Sequence, residues 1–319
     1  MKAAVIVNPH AGAGAARQRW PKVARLIEER LGPVAVHFTE GPGHATPLAR
    51  QLADAGFDPV IAAGGDGTLN EAVNGVLSSG SSVRLGVLPL ASGDFARTIG
   101  LAGLRHAIET LATGEARRVD VVRARFRGPD GDHRERHFIN IGSFGLGAEA
   151  ARRVRRWSRL LPRRGRYLAA ALQALAAGCG FDARLWMDDA PPVEFHATTV
   201  AVANGRYQGG GILIAPQAAI DDGLADITLV ERVGVSEAAA NLRLLYSGGI
   251  WSHPKVHHWR AARVRAEGGT EVLVELDGEL VGTLPLEAEV VAGRLRLICP
   301  AAPKTSAIGI QRSATPSAP

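Results

Sequence analysis

Short apolar runs at residues 3–7, 34–38, 60–63 and 85–88 alternate with segments whose apolar positions recur at helical spacing. Trp20, Val23, Ile27 and Leu31 fall on one face of a helix, and residues 45–55 supply a second. Pro21 obscures where the first helix begins, because proline suits a first turn better than an interior; Pro47 sits near the start of the second. Strands alternating with helices predict a layered α/β domain over residues 1–122.

After about residue 120 the pattern changes. β-type segments follow at 119–126, 137–141, 183–187, 199–203, 225–230, 256–265, 271–276 and 288–298. Helical interruptions end near residue 177 and run over 236–246. The expectation is a second domain, residues 123–302, dominated by antiparallel sheet. Residues 303–319 read as a Pro/Ser/Thr/Ala tail without periodicity, expected to be disordered.

Composition narrows the class. Cys179 and Cys299 are far apart and lack metal-type spacing, so buried free thiols in a reducing cytoplasm are expected. Met1 runs directly into an apolar strand rather than a leader, and no apolar run approaches the ~20 residues of a membrane span. A soluble cytoplasmic protein, or one peripheral at the inner membrane face, is the expectation. The net charge of +6 (37 basic, 31 acidic) suits an anionic surface or a phosphorylated ligand. It concentrates from Arg152 to Arg166, an arginine-rich stretch carrying Trp157, Leu160 and Leu161. Such a stretch suits an anionic bilayer surface, and a solvated helix face is the plain alternative. Nucleic acid is not expected as a partner, because interleaved stacking aromatics are missing.

The strongest local signal is Gly64-Gly65-Asp66-Gly67-Thr68, between an apolar strand and a helix-like segment. Its glycines permit close backbone approach to a ligand, and the following helix N-terminus favours phosphate. Thr68 adds a hydroxyl, and Asp66 points to metal or proton-transfer work, although Gly-Gly-Asp-Gly is also a plain turn. Asn8-Pro9-His10-Ala11-Gly12-Ala13-Gly14 and Pro89-Leu90-Ala91-Ser92-Gly93-Asp94 end neighbouring strands. Loops at the carboxyl ends of several strands form a nucleotide cradle.

These motifs, with Leu69-Asn70-Glu71 and Phe95-Ala96-Arg97-Thr98-Ile99-Gly100, resemble the nucleotide-binding motifs of the diacylglycerol kinase and sphingosine kinase family. The resemblance continues through Phe138-Ile139-Asn140-Ile141-Gly142-Ser143-Phe144-Gly145 and Ala203-Asn204-Gly205-Arg206-Tyr207-Gln208-Gly209-Gly210-Gly211. It closes through Ala215-Pro216, Asp221-Asp222-Gly223-Leu224 and Asp277-Gly278-Glu279. One departure stands out: family members carry Gly-Thr-x-Asn-Asp or Gly-Ser-Gly-Asn where this chain has Ala91-Ser92-Gly93-Asp94.

The resemblance implies an NAD kinase/phosphofructokinase-like α/β domain, to which residues 296–303 return, and a C-terminal, mainly antiparallel β-sandwich. It implies an ATP- and Mg²⁺-dependent lipid kinase acting on diacylglycerol or a related lipid, and it is compatible with a homodimer. Asn8, Thr39, Gly64, Gly65, Asp66, Gly67, Thr68, Leu69, Asn70 and Ser92 are implied as nucleotide contacts. A structural Mg²⁺ site is implied at the Asp222 carboxylate with the carbonyls of Ala219 and Leu224, an oxygen-only set that suits this ion. Asp221-Asp222-Gly223 is equally a turn signature.

Phosphoryl transfer requires a fixed triphosphate, charge neutralisation by Mg²⁺ and a deprotonated acceptor hydroxyl. The family's Asp-Gly-Glu element implies Glu279 as proton acceptor with Asp277 as partner. Two apart on a β-type segment, they are expected to share a face, unless the element is only an exposed hairpin turn. Asp66 remains a competing base. Two other functions stay open: a small-molecule kinase of NAD kinase type, and a catalytically silent lipid- or nucleotide-binding regulator.

Overall fold

The computed structural model describes residues 2–91, 93–154 and 163–301. Ser92, the proposed tail and the larger part of the Arg152–Arg166 stretch lie outside the described residues.

The first part alternates as its periodicity predicts: β1 (Ala4–Val7), α1 (Ala15–Leu31), β2 (Ala35–Phe38), α2 (Ala45–Asp54), β3 (Val60–Gly64), α3 (Asp66–Ser78), β4 (Arg84–Pro89), α4 (Asp94–Thr98) and α5 (Leu104–Thr113). β1 and β3 are buried along their whole length, which explains their unbroken apolar character. β1 pairs in parallel with β2 and β3, and β3 with β4. α1 buries Ala16, Trp20, Val23 and Ile27 and passes through Pro21, which sits on its exposed face. The missing N–H therefore breaks one helical bond without disturbing the packed face. α2 and α3 cross where Gly75 leaves no room: an added Cβ would stand 2.6 Å from Ala49 Cβ and against the Thr46 carbonyl.

The second part begins with β5 (Glu115–Arg127), β6 (His133–Phe138), β7 (Ile141–Gly145), α6 (Leu146–Val154), α7 (Arg163–Ala176), β8 (Phe181–Met187) and β9 (Val193–Ala203). It continues with β10 (Tyr207–Gln208), β11 (Ile212–Leu213), β12 (Ala225–Glu231), α8 (Val235–Ala240) and α9 (Leu244–Ser247). It ends with β13 (Val256–Ala261), β14 (Arg263–Gly268), β15 (Leu273–Leu276) and β16 (Glu279–Cys299). Pairing here is antiparallel throughout, apart from one contact of β16.

Three sequence-derived segments divide where the backbone must turn. Residues 137–141 break between β6 and β7, residues 256–265 break between β13 and β14, and the helix expected over 236–246 becomes the short α8 and α9. Conversely, the last strand is longer than its apolar stretch. β16 runs for 21 residues with register shifts at Thr283/Leu286 and Val291/Leu295. Those irregularities bend it so that one strand pairs with β15 and β14 at its start and, in parallel, with β4 at Arg296 and Leu297. The two parts thereby share one hydrogen-bonded sheet.

Among the described residues no helix is long and apolar enough to cross a membrane. Both cysteines are unbridged; Cys299 is buried, while Cys179 is only half-buried.

Replacing Gly75 by valine forces α2 and α3 apart and is expected to cost roughly 2–3 kcal/mol. The check is the urea midpoint; an unchanged midpoint contradicts the close crossing.

Candidate active site

Backbone hydrogen bonds draw the loops after β1, β3 and β4 together. Asn8 N donates to the Ala63 carbonyl at 2.9 Å, and Leu90 N donates to the Gly64 carbonyl at 3.0 Å. Thr39, after β2, joins the row through its N–H to the Val7 carbonyl at 2.9 Å. Asn8 Nδ2 donates to Thr68 Oγ1 at 2.9 Å, fixing the hydroxyl at the first turn of α3. No side chain caps α3, so its leading amides remain for an anion or solvent. Asn8, Thr39, Gly64, Gly65, Asp66, Gly67 and Thr68 thus come together as the resemblance implies. Leu69 and Asn70 differ: Leu69 packs into the core, and the fully buried Asn70 side chain turns towards the second part of the chain. Either residue has only its backbone to offer a nucleotide.

The carboxylates of the cleft act as joints. Asp66 Oδ2 and Oδ1 accept the N–H groups of Asp94 at 3.0 Å and Phe95 at 3.2 Å, capping α4. Asp94 Oδ2 in turn accepts the N–H of Gly210 at 2.7 Å, joining the fourth-strand loop to the Gly209-Gly210-Gly211 turn. Sequence reasoning placed Asp94 in a loop but did not single it out; the signal was a carboxylate directly following the Ser92 loop.

Asp277 is the most heavily engaged. Its Oδ2 accepts Asn70 Nδ2 at 2.7 Å and Ile139 N at 3.0 Å; its Oδ1 accepts Asn140 N at 2.9 Å and Ile141 N at 3.0 Å. Burial pushes this carboxyl up, and the N–H donors from Ile139, Asn70, Asn140 and Ile141 oppose that by stabilising the charged form. The expected shared face with Glu279 does not exist. Asp277 and Gly278, with φ of 50° and 84°, form the two-residue turn of a hairpin whose first pair is Leu276–Glu279. The turn is nevertheless not an exposed one, because Asp277 is only 7% exposed.

Glu279 lies across the cleft mouth. Its Oε1 is 3.0 Å from the position a Cβ would take at Gly67, so the carboxylate reaches the first turn of α3. Its Oε2 is 2.8 Å from Arg136 Nη2. Asp66 and Glu279 therefore approach the same helix end from opposite parts of the chain.

Two neighbouring cavities lie beside these groups. A polar one of about 170 Å³ is lined by Asp66, Asp94, Asn140, Gln208 and Glu275. Asp94 Oδ1, Asn140 Oδ1 and Gln208 Oε1 are buried there without hydrogen-bond partners. An apolar one of about 140 Å³ runs between α7, α8 and α9, with Leu168, Leu172, Ile212, Ile214 and Leu242 in its wall. Tyr167 and Gln208 line both cavities. Gly209 packs against the Tyr167 ring at φ 61°, where an added Cβ would stand 2.7 Å from the ring.

The expected metal position is arranged otherwise. Asp222 Oδ1 accepts Leu224 N at 3.1 Å and Oδ2 pairs with the Arg260 guanidinium, so both oxygens already have partners. The turn from Ala219 to Leu224 is held instead by Asp120, which accepts Gly223 N and Gly293 N, each at 2.7 Å. Asp226, buried without a hydrogen-bond partner and 3.8 Å from Arg260 Nε, has its carboxyl pushed up to about 6 by burial. The Arg260 guanidinium thus approaches the carboxylate that the resemblance implies as a cation ligand.

Asp277→Ala leaves three buried backbone N–H groups and Asn70 without their acceptor. A loss of roughly 3 kcal/mol or more in a denaturant melt is expected; unchanged stability would show that the carboxylate is not a structural joint.

Residues 2–124 match the diacylglycerol kinase catalytic domain, and residues 140–299 match the YegS C-terminal NAD kinase beta sandwich-like domain. A diacylglycerol kinase of Staphylococcus saprophyticus is 27% identical over 286 residues, 89% of this chain and 90% of that protein. The diacylglycerol kinase of Bacillus subtilis is 28% identical over 295 residues, 90% of this chain and 92% of that protein. A crystal structure from Bacillus anthracis, described as a candidate diacylglycerol kinase, superposes with a TM-score of 0.75 at 25% identity, covering 93% of this chain and 96% of its own. Domain matches on both parts, together with relatives aligned over nearly the whole length, place the chain in the diacylglycerol kinase family.

Proposed function

We propose that the protein transfers the γ-phosphoryl group of MgATP to a lipid hydroxyl, with diacylglycerol or a related lipid as acceptor. Family membership supports a kinase-type phosphotransferase, for which ATP is the implied co-substrate. The lipid acceptor is supported by two neighbouring cavities that share Tyr167 and Gln208 in their walls. One, beside Glu275 and Asp277, is rich in polar groups; the other, between α7 and α9, is apolar. An amphiphile with a hydroxyl at its polar end and acyl chains behind it matches that division.

In this reading the triphosphate lies against the leading amides of α3, with Asn8 and Thr68 beside it. Mg²⁺ bound with the nucleotide would neutralise charge on the phosphates. Glu279 Oε1 accepts the proton of the acceptor hydroxyl as its oxygen attacks the γ-phosphorus in line. The new P–O bond forms, the bond to the β-phosphate oxygen breaks, and ADP leaves with that electron pair. Asp66 is the weaker base, since its oxygens already accept N–H bonds at the head of α4. It and Asp277 hold the frame within which Glu279 works.

Glu279→Gln is expected to lower kcat by ~100-fold or more while ATP still binds. The assay follows labelled phosphate from ATP into diacylglycerol vesicles; near-normal turnover removes Glu279 from the chemistry. ADP release with NAD⁺ but with no lipid would move the acceptor to a nucleotide. Ala171→Phe, in the apolar wall, is expected to raise KM for long-chain diacylglycerol by roughly tenfold, with short-chain acceptors little affected. Equal effects on both chain lengths would detach the apolar cavity from the acceptor.

A further inference from the structure

Glu279 is about one-third exposed at the lip of the cleft, where a carboxylate on a flexible stem has no reason of its own to keep one orientation. The acidic residues of the neighbouring cavity, Asp66, Asp94, Glu275 and Asp277, offer it no counter-charge, and Arg97 lies 3.7 Å from Asp94.

Arg136, on β6, supplies the restraint. Its Nε donates to Asn70 Oδ1 at 2.9 Å, and Asn70 is wholly buried and itself fixed to Asp277 Oδ2 at 2.7 Å and to the His137 carbonyl at 3.0 Å. Nη2 donates to the same Asn70 oxygen and also lies 2.8 Å from Glu279 Oε2, so the anchored edge itself reaches the carboxylate. With Oε2 held, Oε1 is the oxygen left facing Gly67 at the first turn of α3. A planar guanidinium suits this bridging, because its Nε–Nη2 edge grips the amide oxygen while Nη2 has a second N–H for a carboxylate.

We propose that Arg136 is the positioning residue of the phosphoryl-transfer site, holding Glu279 so that Oε1 alone faces the nucleotide and takes the acceptor's proton. This rests on the reading of Glu279 as proton acceptor. Arg136 then acts through orientation: it belongs to turnover and not to ATP affinity, and its effect vanishes when Glu279 has no proton to accept.

The test uses the full-length chain with MgATP and diacylglycerol vesicles. Arg136→Met is expected to lower kcat at least roughly tenfold, with KM for ATP within about twofold and Tm within about 3 °C. Arg136→Lys should retain an intermediate kcat, and millimolar guanidinium ion should restore part of the turnover of Arg136→Ala. In a Glu279→Gln background, Arg136→Met should add no further loss. Arg136→Gln, which keeps a polar contact to Asn70, carries the same comparison if the methionine variant does not fold. A kcat within twofold of normal, or an additive loss on top of Glu279→Gln, overturns the inference. A raised KM for ATP at unchanged kcat also overturns it, by placing Arg136 on the nucleotide. Near-normal turnover in Glu279→Gln removes the proton-acceptor reading and this inference together. Low turnover in Glu279→Gln beside full turnover in Arg136→Met removes the inference alone.

Discussion

The arrangement of the cleft depends on one buried carboxylate. Asp277 accepts four hydrogen bonds, from the Asn70 side chain on α3 and from the backbone amides of Ile139, Asn140 and Ile141. Those amides lie where one strand ends and the next begins, so they have no complete ladder partner of their own. A single side chain thus repairs a strand break, pins α3 to the second part of the chain and fixes the turn that delivers Glu279. The energetic cost of burying such a charge is met only because its lone pairs are satisfied, so each partner depends on the others.

The same principle recurs in series. Asp66 binds the amides of Asp94 and Phe95, and Asp94 binds the amide of Gly210. Carboxylates that read as candidate chemistry in a one-dimensional sequence are here largely engaged in holding the two parts in register. Glu279 differs because one of its oxygens meets Arg136 while the other faces the first turn of α3. Division of labour among acidic residues is thereby set by which of them have backbone amides as partners. Electrostatics favours this outcome: a carboxylate surrounded by N–H dipoles is already stabilised, whereas one facing a helix N-terminus can exchange its surroundings when a phosphate arrives.

Beyond the site, β16 carries the connection mechanically. Its register shifts let a single 21-residue strand serve the hairpin behind Glu279 and, at its far end, the parallel sheet beside β4. The antiparallel and parallel parts of the one sheet are therefore joined through this strand. Tyr167 and Gln208 stand in the walls of both the polar and the apolar cavity.

Much was legible along the chain. The apolar runs predicted β1 to β4, the helical spacing of Trp20, Val23 and Ile27 predicted α1, and the glycine loops predicted the turns that end the strands. These features are local: burial of a four-residue run or a glycine's freedom needs only near neighbours to be inferred. The breaks after Phe138 and Ala261, the long bent course of β16 and the separation of α8 from α9 were not legible, because distant strands impose them. The same holds for the roles of charged side chains. Types and loop positions of Asp66, Asp222, Asp277 and Glu279 could be read directly, but their partners come from residues scores of positions away. The sequence by itself determined the layered order, the loops and the family motifs; only the tertiary structure decided that Asp277 is a buried joint, that Asp222 faces Arg260 and that Glu279 is held by Arg136. Hydrogen-bond partnership is a property of positions in space, and periodicity along a chain does not encode it.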